Sequence, residues 1–130
     1  MAIYKKILIV SRPGTLQEGW SALIKEIPGT HIYNSAQWNK VENHIKTLTP
    51  DVIIVEAASL AVDDHIDVER LHSRKIRLVI IEDNPAFVEK WNLVGADLVM
   101  LVGELALTFY NNIQRLLDEK EKRVHADDFS

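Results

Sequence analysis

The chain has 130 residues, 47% hydrophobic and 26% charged, enough for one domain with its own core and too few for two. A net charge of −4 argues against a nucleic-acid surface, and the absence of cysteine excludes disulfides, thiolate nucleophiles and thiolate metal centres. No apolar run nears the roughly 18 residues of a membrane span, and "KKILIV" is too short for a secretory signal, so a cytoplasmic protein without membrane contact is expected.

Residues 7–10 are apolar at consecutive positions, as in a parallel strand buried on both faces. "SRPGT" follows, and residues 14–26 then carry Leu16, Trp20, Leu23 and Ile24 at helical spacing until "IPGT" stops the helix. A weaker run, residues 31–33, suits a strand nearer an edge. Residues 36–48 place Trp38, Val41, Ile45 and Leu48 on one helical face, and residues 52–55 form the third strand. Residues 62–73, with Val62, Ile66 and Leu71 in a charged background, are the weakest helix. Residues 78–81 form the fourth strand. The next helix, 84–94, opens with "DNP", carries Phe87, Val88, Trp91 and Val94, and ends at Gly95. Residues 98–102 form the fifth strand. The last helix, 104–117, turns Leu105, Phe109, Ile113 and Leu116 inward. The domain spans residues 1–118, and 119–130 read as a charged tail: a frayed helix end or the start of a linker.

Strands alternating with helices predict the α/β class, a doubly wound five-stranded parallel sheet of flavodoxin-like size and (βα)5 order. In such a sheet, ligands bind beyond the carboxyl ends of the strands. Those ends carry Ser11-Arg12-Pro13-Gly14-Thr15, Glu56-Ala57-Ala58, Glu82-Asp83-Asn84 and Gly103-Glu104. Hydroxyls, an arginine and a helix N-terminus favour an anion at "SRPGT", but Glu56 and Glu82 would repel it. A pocket binding a small anionic ligand through Ser11, Arg12 and Thr15 is kept as an alternative. The acid-rich stretch "DDHIDVERLH", residues 63–72, holds Asp64, His65, Asp67, Glu69 and His72, and reads as a solvated helix face rather than a metal site.

Residues 4 to about 118 resemble the receiver domains of two-component response regulators, CheY-like proteins. "ILIVSRPGTLQEGWSALIKEIPG" is similar to the opening of the subclass usually followed by a LuxR-type output, with Gln17-Glu18-Gly19-Trp20 in the place of a "REGL"-like segment. "TPDVIIVE", residues 49–56, is similar to the "PDVVLLD" strand that ends in the phosphorylated aspartate. "VGADLVMLV", residues 94–102, resembles the "AGADGYLLK" strand that ends in a lysine. The resemblance implies strand order 2-1-3-4-5 and a Mg²⁺-dependent phosphoacceptor site.

The departures fall on that site. Ser11 and Arg12 replace the metal-binding acid pair, and Glu56 stands at the phosphoacceptor position. Glu82 replaces the hydroxyl after the fourth strand, Val99 the aromatic switch, and Val102 the lysine. Phosphoryl transfer to a carboxylate needs a metal ion and a balancing cation. The expectation is therefore a degenerate receiver without metal, cofactor or enzymatic activity, independent of phosphorylation. Arg12 either pairs with Glu56 or Glu82, replacing the metal–phosphate cluster, or all three are solvated in a decayed pocket. An orthodox Mg²⁺-dependent phosphoreceiver is the further alternative.

Helical wheels turn Leu93 and Leu107 outward, with Tyr110 at the margin. In receivers, helix 4, strand 5 and helix 5 carry dimer and output contacts. The resemblance thus implies a protein partner or a homodimer through that face, and a DNA-binding output in a longer chain, without direct nucleic-acid binding by this domain.

Overall fold

A computed structural model describes residues 5–104 and 106–128, with residues 119–128 as helical backbone only. The strands are β1 (Lys5–Val10), β2 (Thr30–Ser35), β3 (Val52–Glu56), β4 (Arg77–Glu82) and β5 (Leu98–Leu101). The helices between and after them are α1 (Thr15–Lys25), α2 (Val41–Leu48), α3 (Val68–Ser73), α4 (Val88–Val94) and α5 (Ala106–Asp128). All neighbours pair in parallel, in the order β2-β1-β3-β4-β5. The doubly wound architecture expected from the alternation is the one observed.

Consecutive apolar runs mark the strands because both sheet faces are covered. Ile7, Ile9, Ile54, Val79 and Ile81 pack with Trp20 and Ile24 of α1 and Phe109 and Ile113 of α5. The alternate residues Leu8, Val10, Ile53, Val55, Leu78 and Ile80 pack with Val41 and Ile45 of α2 and Leu71 of α3. Every residue of β3 and β4 is buried, whereas the edge strands β2 and β5 are only partly so.

The helices depart from the expected pattern at their ends. α3 starts at Val68 rather than near residue 62. Asp64 accepts the Ala61 N–H at 2.7 Å and Asp67 caps α3 by accepting the Arg70 N–H at 3.1 Å. These local bonds compete with helix in the preceding segment. Ile66 is buried from that loop, while Val62 is fully exposed. Residues 38–40 and 85–87 form 3-10 turns that lead into α2 and α4. Leu16, in the first turn of α1 beyond the strand ends, is exposed, and the buried stripe begins at Trp20. Likewise α4 packs against the short β5 margin, so Val94 is exposed, as is Phe87 in the turn before it, and none of the helix's residues is fully buried.

Gly95 ends α4 with φ +109°, donating its N–H to the Trp91 and Asn92 carbonyls. α5 buries Phe109, Ile113 and Leu116, together with Leu117, and continues as helix to Asp128. The sequence from 118 to 128 contains neither glycine nor proline to stop it. Leu105, expected to face inward, lies outside the described residues.

Candidate functional site

The strand register sets the site. Val10 pairs with Val55, and Glu56 pairs with Ile81. Ser11, Glu56 and Glu82 therefore finish at the same edge of the sheet, in the crevice where β1 and β3 part toward opposite sides.

Arg12 closes over Glu56. Its Nε lies 3.2 Å from Oε1 and its Nη2 3.3 Å from Oε2, while its backbone N–H donates to Oε1 at 3.0 Å. The Glu56 residue is only 3% exposed, while the Arg12 side chain is 63% exposed. A buried carboxylate thus has both oxygens engaged by one residue, in the forked geometry suited to guanidinium. The hydrogen bond from Arg12 and the facing charge of Glu56 raise the guanidinium pKa above its ordinary value. Arg12 pairs with Glu56 and not with Glu82.

Glu82 serves a different purpose. Oε2 accepts the N–H groups of Asp83 at 2.8 Å and Asn84 at 3.1 Å, and Oε1 accepts the Trp91 indole N–H at 3.0 Å. Burial pushes its pKa up, but the hydrogen bonds from Trp91, Asn84 and Asp83 outweigh burial and hold the carboxyl below its ordinary value. The charged form is thereby fixed as a staple between the end of β4 and α4. The sequence pointed to Trp91 as a core residue and missed this bond. The findable signal was chemical, because a buried carboxylate must meet donors and tryptophan brings one.

The other expected site residues are placed as follows. Ser11 is fully buried, and its Oγ has no hydrogen-bond partner among the described residues. Thr15 stands exposed in the first turn of α1. Because Arg12 is committed to Glu56, an anion at "SRPGT" would face a carboxylate already sharing its cation. Val99 is half-buried against the core layer that holds Leu71 and Ile80, and Val102, just past the end of β5, against the layer that holds Ile81 and Phe109. Both are apolar packing residues.

The residues present do not fit a divalent cation. Both Glu56 oxygens are satisfied by Arg12, whose charge sits where a metal would need acid ligands. In the acid-rich stretch, Asp64 and Asp67 hold the turn and cap described above, and His72 Nε2 lies 2.9 Å from Asp97 Oδ2. No group of three potential metal ligands is gathered among the described residues. Leu93 and Leu107 are 81% and 69% exposed, whereas Tyr110, expected beside them, is half-buried against the core. Among the described residues, no helix is long and apolar enough to cross a membrane.

No protein-family model and no curated protein matches the sequence. Solved structures match at low identity. The response regulatory domain of protein mrkE from Klebsiella pneumoniae is 18% identical, with 90% of this chain and 98% of that one covered, at a TM-score of 0.77. A LuxR family DNA-binding response regulator from Silicibacter pomeroyi is 14% identical, with 88% and 93% covered, at 0.75. A CheY-like response regulator receiver domain protein from Methanospirillum hungatei JF-1 is 16% identical, with 92% and 98% covered, at 0.71. The fold is the CheY-like one.

Proposed function

We propose that this chain is a receiver domain of a two-component response regulator that signals without phosphorylation, as a protein-interaction module in the cytoplasm. It is not an enzyme in this reading. One observation carries the proposal: the fork from Arg12 to Glu56. At the end of β3, where a receiver takes its phosphoryl group, the carboxylate is buried and already bound. The cation that binds it stands where the metal ligands belong. An internal ion pair replaces the metal and the phosphoryl group, and holds the loops after β1 and β3 in one arrangement.

The output face in this reading is α4, β5 and α5, where Leu93, Phe87, Val94 and Leu107 are exposed. Exposed apolar side chains on α4, on the turn before it and on α5 suit a self-association or partner surface. A LuxR-type DNA-binding domain would follow α5 in a longer chain.

Mass spectrometry after incubation with acetyl phosphate and Mg²⁺ tests the reading, beside thermal unfolding with and without both. No phosphoryl adduct and no shift in the unfolding midpoint are expected. An adduct, or a Mg²⁺-dependent gain in stability, would overturn the proposal and restore an orthodox phosphoreceiver.

A further inference from the structure

At the end of the sheet away from Arg12 and Glu56, α2 and α3 both finish beside the turns that enter β3 and β4. A cavity of about 550 Å³ lies between them. That volume is within the range of small-molecule sites, about 300–1,000 Å³. Ile45, Pro50 and Ile76, all buried, supply an apolar floor. Lys46, Arg74 and Lys75 supply three cations, all exposed to solvent.

These charges are poorly matched within the chain. Among the described residues Asp51 is the one carboxylate on the lining, and it is engaged already, its Oδ2 accepting the Lys6 N–H at 2.8 Å. Arg74 reaches Glu42 only at 3.8 Å, across a carboxylate already 3.2 Å from Arg70. Lys46 and Lys75 form no ion pair among the described residues. Cations near helix C-termini offset the helix dipole, which accounts for Lys46 and Arg74. Lys75 follows Arg74 at the same helix end and is accounted for likewise; the apolar cavity beneath the three is not.

The backbone beneath the cations is that of two helix ends. Thr49 and Lys75, which both line the cavity, lie in the left-handed region at φ 47° and 60°. Thr49 caps α2, donating its N–H to the Ile45 carbonyl, and Lys75 follows the cap of α3, donating to the His72 carbonyl, so both carry the left-handed conformation with which helices commonly end.

We propose that this cavity binds a small organic anion with an apolar body, of the aryl carboxylate or sulfonate class. The body would lie on Ile45, Pro50 and Ile76, and the charge between Lys46 and Lys75. The site is separate from the phosphoacceptor position, and its existence does not depend on the receiver reading.

The probe is 8-anilino-1-naphthalenesulfonate, compared with the uncharged N-phenyl-1-naphthylamine, on the full chain. Fluorescence titration is expected to give one saturable site for the sulfonate and binding about tenfold weaker or worse for the neutral probe, as loss of charge-assisted contacts requires. Amide shifts on the unmodified protein should centre on residues 45–51 and 74–76. The double variant K46Q/K75G removes two charges, and glycine suits the left-handed position at 75. It should weaken the sulfonate by about tenfold or more. Equal affinity for the two probes, undiminished binding by the variant, or shifts centred on Leu93 and Leu107 would each overturn the proposal. The shift map stands even where the variant fails to fold.

Discussion

Two buried carboxylates, one residue type, meet different ends. Glu56 is held by a cation and Glu82 by neutral donors, and each predicts a distinct response. Replacing Glu56 by glutamine turns an acceptor into an amide facing the Arg12 fork, so E56Q should destabilise the fold by about 1–3 kcal/mol in chemical denaturation. R12A should lower the unfolding midpoint without creating any affinity for Mg²⁺, as thermal scans with and without the ion will report. For Glu82 the pKa is depressed on folding. Its stabilising contribution is therefore fully present above the ordinary glutamate value of about 4.3 and is lost as pH falls through the lower folded value. Acid titration followed by tryptophan fluorescence should lose a step below the ordinary glutamate range in E82Q. W91F should cost about 1–3 kcal/mol, because it leaves a buried charged oxygen without its donor.

At the scale of elements, the legible features were those that depend on periodicity. Residues 7–10, 52–55 and 78–81 could be read as buried parallel strands because both sheet faces are covered, so every position is apolar. Helix ends were less legible. The start of α3 is decided by Asp64 and Asp67 bonding to nearby backbone, and an apolar count over residues 62–73 does not register that competition. The exposure of Leu16, Phe87 and Val94 depends on where the sheet stops beneath the helix, which is a property of the packed layers. The Arg12–Glu56 pair was anticipated as one of two partners for Arg12, since charge alone cannot choose between Glu56 and Glu82. Register chooses. Gly95 offers a test of an element boundary: an added Cβ would lie 3.2 Å from Val68 Cγ1, at a φ few side chains adopt. G95A should therefore destabilise by about 1–3 kcal/mol, measured by urea unfolding.

For the whole molecule, the question is what the α4–β5–α5 face meets. If it pairs with a second copy, sedimentation velocity should show association that rises with concentration. L93E and L107E should each shift the molecule toward monomer and leave the unfolding midpoint of the monomer unchanged, as measured at low concentration, because both side chains are exposed. A monomer at every concentration would leave the face for a different partner.

The helix that ends the domain has one more consequence. α5 buries Leu117 and continues as backbone helix to Asp128, roughly 16 Å farther at about 1.5 Å per residue. Such a rod conveys angle. A small tilt where Phe109 seats in the core would become a larger sweep at the far end. Each residue added within the rod would turn its far end relative to the core by about 100°, so the length of that segment sets a torsional phase along the helix.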